Sequence, residues 1–141
     1  MAYELEQTSV YPGGMVDSEF REIRSARNAD ANDILFGRVV SMNTDLTCKL
    51  YAAGEVVFGI SAFEQKVGDT YAIGEIVNVC RKGTIYTMVG GAAAVEAGDK
   101  AYALDLGLVT NDDGGGANAE IGVFMGAGQP DEYVAVQINL P

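Results

Sequence analysis

The sequence predicts an all-β fold, a small β-barrel or sandwich of β-tulip or jelly-roll-like form, with an extended N-terminal arm. Three observations favour this class. Short apolar runs rich in Val and Ile recur along the chain. Turns divide these runs, as the 18 glycines and only 3 prolines of the sequence indicate. No segment keeps the periodicity of an amphipathic helix over several turns. With 141 residues, of which 48% are hydrophobic, the chain is long enough for one domain with its own core.

Residues 1–33 are predicted to form the arm, because they carry isolated apolar residues around a turn signal and not a packed pattern. Within it, residues 17–27 fit a short helical turn that places Phe20, Ile23 and Arg27 on one face. An extended strand is the open alternative. The arm carries more apolar side chains than is expected of a segment that packs against nothing. These side chains are Tyr3, Val10, Tyr11, Met15, Phe20 and Ile23.

Residues 34–141 are predicted to form the β domain. Its apolar runs are bounded by Gly, Asn and Asp, which favour turns. The last run alternates between apolar and polar side chains, as a half-buried strand does. The predicted strands, apart from a central hairpin, are residues 34–40, 48–51, 56–63, 100–104, 107–110, 121–126 and 133–140.

The central element is predicted to be a β-hairpin over residues 74–89. Two β-branched runs flank Arg81-Lys82-Gly83-Thr84, and a glycine in such a turn can take a positive φ.

The charge balance argues against two classes of partner. The net charge is −11 and the isoelectric point is near 4.2, whereas binding to nucleic acid requires a basic face. The same charge disfavours an anionic membrane surface, and no run is long enough to span a bilayer. Neither nucleic acid nor a membrane is therefore expected as a partner.

Metal, cofactor and catalytic sites are not predicted. Histidine is absent, which removes the commonest general base and zinc ligand. The two cysteines, Cys48 and Cys80, lie in apolar runs and are interpreted as buried free thiols, with a disulfide left open. The N-terminus lacks the pattern of a secretory signal, so synthesis in a cytoplasm is expected.

The acidic clusters are interpreted as solvated turns. Asp112, Asp113 and Glu120 do not have the spacing of a known calcium loop. The glycines at 114–116 lack the Lys-Ser/Thr of a phosphate loop, so they are interpreted as a flexible hairpin loop.

The arginines at positions 21, 24 and 27 are the local exception in an acidic chain. They form either a solvated face or a contact to an acidic protein surface. In the second case, apolar anchors of the arm or added strand pairing would supply the affinity.

Several segments in order resemble the structural cement, or head decoration, proteins of tailed bacteriophages. The resemblance rests on the segments Tyr11-Pro12-Gly13-Gly14-Met15, Ile34-Leu35-Phe36-Gly37-Arg38-Val39-Val40, Gly74-Glu75-Ile76-Val77-Asn78-Val79, Ala97-Gly98-Asp99-Lys100-Ala101-Tyr102 and Val134-Ala135-Val136-Gln137-Ile138.

The resemblance implies a β domain on the outer surface of the virion capsid. It also implies binding to the major capsid protein after shell expansion, with subunits bridged and the shell stabilised. Self-association is implied too, as trimers in preference to dimers, and no catalytic residue is implied. Residues 1–33 would contact the capsid or neighbouring subunits. The expected capsid contacts are Tyr11, Phe20, Arg21, Ile23, Arg24 and Arg27.

Two other functions stay open on the sequence. A carbohydrate- or cell-surface-binding β module of a virion is one alternative, although tryptophan, a frequent sugar contact, is absent. An enzyme or carrier domain on a small barrel is the other.

Overall fold

The computed structural model describes residues 12–15, 21–65 and 68–140. Within these ranges the chain is built almost entirely of β-strands, which confirms the predicted fold class. Two short 3₁₀ turns, Asp105–Gly107 and Gly114–Gly116, interrupt them. The strands are, in chain order, β1 Glu22–Arg27, β2 Ile34–Leu35, β3 Val39–Met42, β4 Cys48–Leu50, β5 Val57–Ser61, β6 Thr70–Tyr71, β7 Ile76–Met88, β8 Lys100–Leu104, β9 Leu108–Thr110, β10 Glu120–Phe124 and β11 Tyr133–Asn139.

The larger sheet runs in the order β4–β3–β5–β7–β11–β10–β8–β9, and β1 also pairs with β7. A two-stranded sheet joins β2 to β6. The larger sheet curls into a half-barrel. Two isolated parallel β-bridges bring separate parts of the chain together, one between Asn28 and Cys48 and one between Val89 and Val109. None of the described residues forms a helix long and apolar enough to cross a membrane.

The predicted central hairpin is wrong, because residues 76–88 form the single 13-residue strand β7. Lys82, in the predicted turn, pairs with both Glu22 of β1 and Asn139 of β11. Gly83 pairs with Ile138 and takes a φ of 126° inside the strand. Since the supposed turn residues have partners on neighbouring strands, the chain gains backbone hydrogen bonds by continuing straight on.

Two smaller differences follow from turns that the sequence pattern concealed. The predicted strand over residues 34–40 is divided into β2 and β3 by a turn at Gly37, whose φ is 78°. The glycines at 114–116 do not close a hairpin, because β9 and β10 both pair with β8 instead of with each other.

The core consists of two clusters. Strand β7 contributes to both, with Val77 and Val79 of its first half in the smaller cluster and Cys80 and Ile85 in the larger one. The larger cluster includes the alternating apolar residues of β11 and the residue after it, as the sequence pattern predicted: Val134, Val136, Ile138 and Leu140. The smaller cluster is Ala26, Ile34, Phe36, Val40, Cys48, Phe58, Tyr71, Val77 and Val79.

The two cysteines are buried and free, as predicted. Cys48 belongs to the smaller cluster and Cys80 to the larger one. Burial raises the pKa of the Cys48 thiol to about 11 and that of Cys80 to about 12. Both therefore stay in the thiol form at neutral pH and act as small apolar side chains.

We expect Gly122→Ala to destabilise the fold by about 1–3 kcal/mol, because overpacking forces neighbouring backbone to move. A Cβ at this position would lie 1.9 Å from the backbone oxygen of Gln137, within the β10–β11 pair. Denaturant unfolding measures the effect. Gly126→Ala is the matched control, since its Cβ would meet Val134 at an ordinary 3.7 Å. Equal stability of the two variants would contradict this packing.

Candidate functional site

The first described segment, residues 12–15, is held by backbone hydrogen bonds between β7 and the residues that follow β5. The backbone N–H of Gly13 donates to Tyr86 O at 3.0 Å, and Tyr86 N–H donates to Gly14 O at 2.9 Å. Phe63 N–H donates to Gly13 O at 2.8 Å. Gly13 has a φ of 68°, and a Cβ there would lie 2.7 Å from Phe63 N. The Pro-Gly-Gly-Met sequence therefore fits because glycine permits both the conformation and the close approach.

Residues 22–27 form β1, which pairs antiparallel with the first half of β7. The helical interpretation of this segment is wrong, and the extended alternative is correct. Ala26 and Asn28 are buried, and Asn28 Nδ2 donates to the backbone oxygen of Tyr71 at 3.0 Å. The described part of the predicted arm is thus bound into the sheet at several points.

A charged contact that the sequence analysis missed ties the start of β1 to β7. The Glu22 carboxylate lies 3.6 Å from Arg81 Nε and 3.4 Å from Arg24 Nε. Arg81 also stacks over the Phe58 ring, 5.0 Å from its centroid, and donates to the Phe58 backbone oxygen. With these three contacts, the Arg81 side chain is only 14% exposed. The sequence analysis assigned Arg81 to a turn and so gave no signal of this role.

The predicted contact residues fall into two groups. Tyr11 and Phe20 lie outside the described residues. The other four lie on or beside β1 and are exposed. Together with Ser25 they form what we call the β1 surface, which consists of Arg21, Ile23, Arg24, Ser25 and Arg27.

The β1 surface does not present its arginines on a single face. Successive side chains of a strand point to opposite sides, so Arg24 and Arg27 point in opposite directions. Arg24 lies beside Glu22 and is 64% exposed. Arg27 donates from Nη1 to the backbone oxygen of Gly74 at 2.7 Å. Ile23, which shares the side of Arg27, is 41% exposed. The surface is a basic ridge with an apolar side chain along it.

Of the three carboxylates weighed as a calcium site, Asp112 and Asp113 form a turn, whereas Glu120 lies in strand β10. Asp112 and Asp113 accept from Gly114 N–H and Gly115 N–H at 2.9 and 3.0 Å. Asp99 accepts hydrogen bonds from Asn111 and from Glu96 N–H, which lower the pKa of its carboxyl. Among the described residues, no group of three His, Cys, Asp or Glu side chains could hold a metal ion.

An open groove of about 770 Å³ lies along β10 and β11 and reaches Lys82 and Gly83 of β7. Its lining is mixed, with apolar Val123 beside polar Gln137 and Asn139. Glu120, at its rim, lies 3.9 Å from Lys100 Nζ. Mixed polarity is also that of ordinary protein surface, so the lining alone does not mark a binding site.

We expect Glu22→Ala to loosen the start of β1 and to lower the free energy of unfolding by about 0.2–1 kcal/mol, the usual range for an exposed ion pair. Amide hydrogen exchange should rise for peptides covering residues 21–27. Glu120→Ala is the control, because its pair with Lys100 is 55% and 65% exposed. If both variants leave exchange at β1 unchanged, Glu22 does not fasten this strand.

Comparison with known proteins gives consistent results. Residues 1–139 match the profile of a family described as structural cement protein (E217 gp24/Pam3 gp6). A chain in the capsid of Myoviridae phage XM1 is similar in fold, with a TM-score of 0.72 and 19% identity over 92% of this chain and 90% of that chain. The N base of head fiber gp8.5 in bacteriophage phi29 has a TM-score of 0.59 and 13% identity, over 85% and 95% of the two chains. No curated protein sequence matches the chain.

Proposed function

Because the chain belongs to the structural cement protein family of bacteriophages, we propose that it binds the outer surface of the phage head. There it bridges neighbouring major capsid protein subunits and stabilises the expanded shell. The observation that carries this proposal is the family match over residues 1–139. Membership makes the chain a structural component of the virion, and the outer location and the bridging are the proposed refinements.

The β1 surface is the proposed contact with the shell. It gathers basic side chains on a chain whose net charge is −11, so it would orient the protein towards an acidic partner. Ile23 supplies apolar area within the same ridge. Tyr11 and Phe20 remain proposed contacts as well, as part of an N-terminal segment, residues 1–33, that reaches the capsid or neighbouring subunits.

Multiplicity accounts for strong attachment without a deep binding site. Modest contacts repeated around a symmetry axis give avidity, because each contact after the first is effectively intramolecular. We propose trimers in preference to dimers, placed at local symmetry axes of the shell. A passive fastener of this kind needs a rigid body and no reaction, which suits a sheet curled into a half-barrel.

Neutralising the β1 surface is expected to weaken attachment. The triple variant Arg21→Ala, Arg24→Ala and Arg27→Ala should sediment with expanded capsids lacking the protein at least about tenfold more weakly than the wild type. Its attachment should also depend less on salt, since fewer charges are screened. Thermal unfolding checks that the variant is folded, because Arg27 also holds Gly74.

The matched control compares two single variants. Arg24→Ala and Lys100→Ala each remove one cation of nearly equal exposure, 64% and 65%, that lies beside one glutamate. Only Arg24→Ala should weaken attachment. Equal effects would assign the loss to net charge and would contradict a contact at β1. Failure of the wild type to sediment with capsids would overturn the proposed function itself.

A further inference from the structure

The outer edge of β1 offers backbone groups for pairing. Asn28 N–H donates to Glu75 O at 2.8 Å, and hydrogen-bonded pairs alternate along an antiparallel ladder. Arg24 and Ala26 therefore direct their backbone groups at β7, while Ile23 and Ser25 direct theirs away from it. Within the described ranges, no second strand pairs with β1 over Glu22–Arg27.

Among the described residues, the part of this edge that has no strand partner is short and ends at the C-terminal end of β1. Directly after the strand, Asn28 forms a parallel bridge with Cys48, and Ala29 N–H donates to Cys48 O at 2.9 Å, so β4 covers the edge at these two residues. Ile23 and Ser25 are both exposed. An exposed edge of this kind is a template for an added strand.

The charges around the edge select the occupant. Three arginines of the β1 surface flank the open backbone, and Arg81 and Lys82 lie on the paired part of β7. Glu22 is the acidic residue of β1, and its carboxylate is already paired with Arg24 and Arg81. The part of the chain after Lys82 is acidic, since its single basic residue is Lys100. The acidic residues there are Glu96, Asp99, Asp105, Asp112, Asp113, Glu120, Asp131 and Glu132.

A second β1 is a poor occupant of this edge. Pairing β1 with the β1 of another copy would bring arginines within reach of arginines, and like charges across a strand pair are destabilising. An extended segment with acidic side chains would satisfy both the backbone groups of Ile23 and Ser25 and the flanking guanidinium groups.

We propose that the free edge of β1 receives an extended acidic segment of the major capsid protein as an added β-strand. This inference rests on the proposed function and specifies the partner of the same surface. Backbone pairing at Ile23 and Ser25 holds the segment, and Arg21, Arg24 and Arg27 select its charge.

The test compares Ser25→Pro with Ser25→Ala in the full-length chain, with expanded capsids lacking the protein as the probe. Proline removes the N–H that points away from β7 and is tolerated on a free edge. Alanine keeps that N–H and removes only the hydroxyl, which donates to Asn78 Oδ1 at 3.2 Å. Ser25→Pro should weaken attachment at least about tenfold, and Ser25→Ala less than about twofold.

A second measurement does not depend on a variant that folds. Amide hydrogen exchange of the wild type should slow for peptides covering residues 21–27 when the protein is bound to capsids. Equal attachment of the two Ser25 variants together with unchanged exchange would overturn the added strand. A change in the oligomeric state of free Ser25→Pro, with capsid attachment intact, would assign the edge to a second copy and also overturn it. Loss of wild-type attachment would instead count against the proposed function.

Discussion

Strand β7 lies between β5 and β11 in the larger sheet and also pairs with β1, so its unbroken backbone joins the two parts of that sheet. Its first half pairs with β1 and β5, and its second half pairs with β11. Gly83 lies where the partners change and has a φ of 126°. Because Val77 and Ile85 belong to different core clusters, one strand organises the packing of both. A reversal at Lys82 would remove pairings on both sides.

The same strand fixes the surface on which the function depends. Residues 12–15 are bonded to the second half of β7, and β1 is bonded to the first half. The Glu22–Arg81 contact and the stacking of Arg81 on Phe58 hold the start of β1 in place. A basic ridge on an otherwise acidic β-protein is thereby presented on a rigid strand, and a rigid binding surface loses little conformational entropy on binding.

The sequence alone was sufficient to predict strands where local periodicity decides the structure. The alternation over residues 133–140 and the apolar run at 100–104 correspond to strands at nearly those positions. It was insufficient where long-range pairing decides. Arg81-Lys82-Gly83-Thr84 has the composition of a turn, and only partners far away in the chain keep it extended. Asn28 resembles a loop residue, yet it is buried because Tyr71 accepts its hydrogen bond. The positions of Arg24 and Arg27 on opposite faces likewise depend on β1 being a strand.

Electron cryomicroscopy of expanded capsids carrying the protein tests the central claim most directly, because it shows which side of each copy faces the shell. The account predicts that β1 lies against the major capsid protein, while the acidic region from β8 to β11 faces solvent. A reconstruction in which β1 points away from the shell, with β8 to β11 forming the contact, would contradict it.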